Sequence, residues 1–350
     1  MAPRQEWLDR VHEEAIEPDR PIVDPHHHLW QRPGFRYLLD EYLADMDGHN
    51  VVATVYVQAA SMHRADGPEH LRPVGETEFV NGVAAMSASG TYGPTRACAG
   101  IVGHANLRLG AAVAGVLEAH LERARARFRG IRHSVATDTD PSVDRAIMVA
   151  AGWDPAKPPP ARPVPPPGLM ADADFREGVR TLGRYGLSFD AWLYHPQIRE
   201  LTDLAKAVPD TQIVLDHVGG VLGIGPYAGR HAEIMPGWKA DIAALAECPN
   251  VAVKVGGLTM PICGFGFETR ALPPTSEALC AATRDWYLHV IDRFGPDRSM
   301  FESNFPVDKS CCSYRALWNS FKRMTADFSE ADKTALFSGT ASRVYRLSVA

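Results

Sequence analysis

The stretch IVDPHHHLW, residues 22–30, starts as a short apolar run and ends in three consecutive histidines behind Asp24 and Pro25. Such a run reads as a buried strand that delivers polar side chains to a rim. Side chains two apart on a strand share a face, so His26 and His28 point together and His27 points the other way. A His-x-His pair at a strand end suits a divalent metal, with imidazole nitrogens about 2.0–2.1 Å from the ion. His27 is then a packing or supporting residue.

The same kind of run recurs along the chain, at 21–24, 51–59, 98–107, 128–134, 187–194, 212–218, 250–257 and 298–304. Helical spacing fills the intervals at 111–127, 173–186, 235–249 and 279–295, and a last helix covers 330–347. Alternating strands and helices argue for parallel strands joined by helical crossovers. Eight such units predict an α/β fold of the (β/α)8 TIM-barrel type, and no Gly-rich dinucleotide fingerprint supports an open doubly wound sheet. We read residues 1–350 as one barrel domain with two additions. Residues 1–20 form an N-terminal helical extension in which Trp7, Leu8 and Val11 share a face. Residues 135–168 form a Pro-rich insertion after strand 4, expected to be a surface arm, a lid or an oligomer contact.

In a TIM barrel the active site lies at the C-terminal ends of the strands. The polar residues fall there: His26 to His28, Gln58, His104 and Asn106, Arg132 and His133, Tyr194 and His195, Asp216 and His217, Lys254, then Glu302 and Asn304. Isolated histidines are usually structural, but scattered ones would not track strand ends.

Composition narrows the function. The net charge is −6 and no basic run appears, which disfavours nucleic acid and anionic membranes as partners. No apolar run reaches the roughly 18–20 residues of a membrane span, and the charged N-terminus lacks a secretory core. The six cysteines contain no CxxC pair and read as reduced thiols of a cytoplasmic protein. Cys263 and Cys311 lie in Gly- or Ser-rich loops but have no neighbouring base motif.

The pieces VDPHHHLW (23–30), FRGIRH (128–133), LDHVGG (215–220), NVAVKVGGL (250–258), FESNFPVD (301–308) and FSGTASRVYRL (337–347) resemble the amidohydrolase superfamily. More closely, they resemble its amidohydrolase-2 branch of TIM-barrel lactonases, hydrolases and decarboxylases. The resemblance implies that His26 and His28 are metal ligands or a substrate-polarising pair, with His195 as a third ligand. It implies that His217 shuttles protons or polarises the carbonyl, and that Arg132 and Lys254 bind a carboxylate or developing oxyanion. One divalent ion, zinc first, is the implied cofactor, with a metal-free mechanism as the alternative.

Strand 8 departs from the family pattern, because Asn304 stands where an aspartate belongs. A neutral amide can coordinate through oxygen but cannot take a proton from water. Glu302, Asp308 or Asp190 could substitute, or His217 could act as the base unaided. Trp30, Trp192 and Tyr194 near strand ends suggest a ring-shaped or aromatic substrate. The expected activity is hydrolysis of a lactone or related cyclic or carboxylic ester. Nonoxidative decarboxylation, which Asn304 disfavours, and an inactive small-molecule-binding barrel are the alternatives. The expected partner is a small molecule carrying a carboxylate or ring. The loops 135–168 and 256–278 could build a homo-oligomer contact.

Overall fold

Each expected run carries a strand in the computed structural model, which describes residues 4–32, 34–158 and 164–348. The barrel strands are β1 (Ile22–His27), β2 (Val51–Val57), β3 (Arg96–Gly103), β4 (Phe128–Arg132), β5 (Ser188–Ala191), β6 (Ile213–Leu215), β7 (Val251–Val255) and β8 (Ser299–Phe301). They pair in chain order, and all are parallel. The ring closes just beyond β8, where His27 pairs with Phe305. The Asn304 N–H donates to the His26 carbonyl at 2.9 Å, and the His28 N–H donates to the Phe305 carbonyl at 2.8 Å. The fold is a (β/α)8 TIM barrel.

Val23, Ala53, Val55, Val57, Val102, Val214, Ala252 and Met300 form one cluster across six strands, joined by Ala341, Val344 and Tyr345 of the last helical segment. This is the lumen floor, plugged from below. Glu302 lies two positions beyond Met300, Lys254 two beyond Ala252 and Asp216 two beyond Val214, so strand parity lifts these polar groups into the next layer. In β1 the register slips between Asp24 and His27, around Pro25, which has no N–H to give the ladder. The slip leaves Asp24 outside, accepting from Tyr42 at 2.7 Å and Tyr314 at 3.1 Å, while His26 points inward.

The helices follow ordinary local rules. In Ala173–Arg184, Asp172 accepts the Phe175 N–H at 2.8 Å, a cap that contributes about 1 kcal/mol. Phe175, Val179 and Leu182 form the buried stripe of that helix. The insertion contains a helix, Pro141–Ala150, which the sequence reading did not place. Asp140 caps it by accepting the Ser142 N–H at 2.9 Å, and Pro141 opens it. Part of the Pro-rich run, 159–163, lies outside the described residues. In the N-terminal extension the helix is limited to Gln5–Leu8; Trp7 and Leu8 are buried and Val11 lies beyond its end. Among the described residues no helix is long and apolar enough to cross a membrane.

Candidate active site

Glu302 is the hub of the barrel mouth. Its Oε1 accepts from His217 Nδ1 at 2.6 Å and from the His217 backbone N–H at 3.1 Å. Its Oε2 lies 3.0 Å from His26 Nδ1. Burial would push this carboxyl up, but the His217 and His26 imidazoles hold it down to about 2. The approach depends on two glycines after β7. A Cβ at Gly256 would stand 2.4 Å from Glu302 Cγ, and one at Gly257, where φ is +74°, would stand 2.6 Å from His217 Cβ. His217 and Val218 themselves adopt left-handed φ of 55° and 47°, a conformation costing of order 1–3 kcal/mol per residue that is characteristic of functional turns.

His26 is fully buried among charges. Its Nε2 faces Arg132 Nη1 at 3.2 Å, and its Nδ1 faces Lys254 Nζ at 3.2 Å as well as Glu302. Arginine and the lysine ammonium only donate, and a neutral imidazole offers one acceptor nitrogen, so His26 can accept from only one of the two. Burial, then the Lys254 ammonium, keeps this imidazole neutral. Lys254 pairs with Asp190 at 2.8 Å and Asp216 at 2.9 Å. Burial works against its charge, but Asp190, Asp216 and Glu302 together raise its pKa. Asp216 is held well below the usual carboxylate range despite burial, chiefly by Lys254 and His26. Tyr345 donates to Asp190 at 2.6 Å from below.

The buried centre therefore holds three carboxylates, Asp190, Asp216 and Glu302, against two fixed cations, Lys254 and Arg132. One positive charge is missing. Arg132 Nη2 donates to the Gln58 carbonyl, while its Nε–H is buried without a partner.

The other predicted residues divide. His28 Nδ1–H donates to the Val57 carbonyl at 2.7 Å; burial and then Arg132 push its pKa well down, leaving Nε2 as a bare acceptor. Its ring lies parallel to Trp30 at 5.7 Å. The edge of Trp192 meets the His217 ring at 5.0 Å. Tyr194 is buried away from the centre with Ala136, Val143 and Leu222. His195 is likewise engaged elsewhere: its Nδ1 accepts the Leu222 N–H at 3.2 Å, and its ring meets Tyr227 at 5.1 Å. His27 faces the helical layer, stacked on Tyr42 at 4.2 Å, with Nε2 at 2.9 Å from the Thr54 hydroxyl. Asn304 has a φ of 55° and an unpartnered Nδ2. Asp308 accepts from the Thr259 hydroxyl, and burial pushes its carboxyl up to about 7. A cavity of about 400 Å³ is walled by Trp30, Phe35, Met260, Ile262, Val307 and Ile147 of the insertion helix.

Among the described residues, His26, His217 and Glu302 are the group whose ligand atoms all lie within 4.8 Å of one another, and they could hold a metal ion. This differs from the expected set, since His28 and His195 lie outside it. Two imidazoles and a carboxylate match a catalytic zinc donor set. Glu302 Oε2 faces the His26 ring at 3.0 Å, and the centre lacks positive charge, so the donors fit a divalent cation. Sequence reasoning had Glu302 and His217 as separate candidates. Their contact depends on Gly256 and Gly257, and that dipeptide was the available signal.

Comparison with known proteins bears on the fold and the family. An amidohydrolase family model matches residues 23–347. "Uncharacterized protein y4mH" of Sinorhizobium fredii is 33% identical over 351 residues, covering 94% of this chain and 99% of its own. An L-fucono-1,5-lactonase of Burkholderia multivorans is 26% identical, covering 93% and 96%. A crystal structure of a Burkholderia multivorans amidohydrolase with bound zinc superposes with a TM-score of 0.69 at 24% identity, covering 94% of this chain and all of that one. With its histidine-rimmed barrel and a family match across nearly its full length, the chain belongs to the amidohydrolase family.

Proposed function

We propose that this barrel hydrolyses a lactone or a related cyclic or carboxylic ester with activated water. The observation that carries the reading is the 2.6 Å bond from His217 Nδ1 to Glu302 in a buried centre one positive charge short of balance. Glu302 fixes the His217 proton on Nδ1, which leaves Nε2 free to act as a base. As the water oxygen attacks the carbonyl carbon, Nε2 takes one of its protons. The imidazolium that forms stays paired with Glu302, while the matching negative charge passes to the carbonyl oxygen. The developing oxyanion meets the unpartnered Nε–H of Arg132. When the ring C–O bond breaks, the proton on His217 passes to the leaving oxygen, giving a hydroxy acid. Trp192 packs edge-on against the His217 ring and limits its rotation.

A divalent ion held by His26, His217 and Glu302 would supply Lewis-acid polarisation of the carbonyl. Lys254 and Arg132 already flank both nitrogens of His26, and His217 Nδ1 already bonds Glu302, so these residues would have to release such contacts to hold it. Similarity to an L-fucono-1,5-lactonase supports the ester class. The test is a panel of γ- and δ-lactones followed by pH-stat, run beside aromatic carboxylic acids followed by CO2 release. Lactone opening supports the proposal. CO2 release without lactone opening refutes it in favour of decarboxylation.

A further inference from the structure

A second cavity, of about 840 Å³, opens at the ends of β2, β3 and β4. Residues Val164, Pro165 and Pro166 of the insertion form part of its wall, so the Pro-rich segment helps to shape this side of the mouth. Two of its wall residues are tied to Arg132 of the centre, which donates to the Gln58 carbonyl and whose own carbonyl lies 3.0 Å from His104 Nδ1.

Four histidines line this cavity, with Glu69, Arg72 and Arg108, and two of them, His104 and His133, have their hydrogen-bond roles fixed from behind. A carbonyl only accepts, so His104 carries its proton on Nδ1 and presents a bare Nε2. The Leu107 N–H donates to His133 Nδ1 at 3.1 Å, so His133 carries its proton on Nε2. Burial pushes the His133 pKa down to about 3, and burial also lowers that of His104. Both rings are therefore neutral at physiological pH. Their centroids are 5.4 Å apart and their planes differ by 72°. The wall thus shows a permanent acceptor next to a permanent donor. Asn106 Oδ1 is taken by the Arg108 N–H at 3.1 Å, which leaves the Asn106 amide NH2 as a further donor.

We propose that this cavity is a substrate subsite for a hydroxyl-bearing arm of the ester, with His104 and His133 as its specificity-determining pair. The inference rests on the hydrolase reading above and deepens it. A hydroxyl donates and accepts, so it can satisfy both nitrogens at once. A carboxylate only accepts and meets the lone pair of His104. An ammonium group only donates and meets the N–H of His133. Desolvated polar groups left unpaired by the wrong ligand are what make such discrimination strong.

The test compares a polyhydroxylated lactone with its deoxy counterpart in wild type, His133→Asn and His104→Asn. An asparagine oxygen at 133 can still accept from the Leu107 N–H but removes the donor at Nε2. An asparagine amide at 104 can still donate to the Arg132 carbonyl but removes the acceptor. The wild type should prefer the hydroxylated lactone in kcat/KM by about tenfold or more, and each variant should reduce that ratio several-fold. A wild-type ratio near one, or a ratio unchanged in both variants, overturns the subsite while leaving lactone hydrolysis intact. If the wild type opens neither lactone, calorimetry with the hydroxylated lactone separates the two claims. Binding that weakens in His133→Asn retains the subsite and refutes hydrolysis, and absence of binding refutes both.

Discussion

Replacing Glu302 by glutamine keeps the volume of the hub and removes its charge. In the native centre this carboxylate takes the His217 Nδ1 proton at 2.6 Å and the His217 backbone N–H at 3.1 Å, and faces His26 Nδ1 at 3.0 Å. Glutamine can still offer one oxygen to His217, and its NH2 then faces His26 Nδ1 in place of the second carboxylate oxygen. More important, Asp190 and Asp216 would then balance Lys254 and Arg132 without remainder, so no counter-charge is left for the imidazolium that forms on His217. Breaking one partner out of a buried charge pair costs about 3–5 kcal/mol. At about 1.36 kcal/mol per decade, that is a loss of roughly 10²–10⁴ in kcat. KM should change little, because Glu302 is fully buried and faces the two imidazoles. The assay is steady-state lactone hydrolysis at neutral pH, with thermal unfolding run alongside to confirm that the variant is folded. A folded Glu302→Gln enzyme with kcat within threefold of wild type refutes the assignment of Glu302 as the group that activates His217.

Three further outcomes follow from the same geometry. Gly257→Ala places a Cβ 2.6 Å from His217 Cβ at a φ of +74°, so it should displace the imidazole, lower kcat about 100-fold or more and cost about 1–3 kcal/mol in urea unfolding. Asp308 has its carboxyl raised to about 7 by burial, so the folded state holds the proton more tightly than the unfolded one and stability falls as pH rises from about 4 to about 7. Asp308→Asn should match wild type in stability near pH 4 and exceed it above pH 7 by at most about 4 kcal/mol, as read by urea unfolding at the two pH values. Asn304→Asp adds a carboxylate to a centre already short of positive charge; it should raise zinc affinity at least tenfold in a competition titration, and unchanged affinity would separate Asn304 from the donor group.

Much of the fold is legible in the sequence, because β-branched runs and helical spacing are local signals and the barrel follows from their alternation. The site is legible to the extent that parity carries it. Met300 to Glu302, Ala252 to Lys254 and Val214 to Asp216 each step two residues from the lumen floor to the reactive layer. What parity misses is any departure from regular backbone. The slip around Pro25 exchanges the facing of Asp24 and His26, and the left-handed turn at His217 aims its ring at Glu302. His195 shows the converse: its place at a strand end made it a ligand candidate, yet a backbone N–H engages its Nδ1 away from the central group. The insertion helix hid behind the prolines that follow it, although Asp140 and Pro141 are an ordinary helix start. Tyr345 is out of reach of any local rule, because its contact with Asp190 spans 155 residues.

The central claim is that His217, held by Glu302, takes the proton from water as a lactone opens. It is tested most directly by proton release from a lactone in the wild type and in His217→Phe, each stripped of metal and then titrated with zinc. The account predicts that stripped wild type opens the lactone, that His217→Phe loses about 10³-fold or more in kcat, and that excess zinc slows the wild type by competing for His217 and Glu302. Stripped wild type that is inactive until zinc is restored, or a His217→Phe variant that retains wild-type turnover, would contradict it.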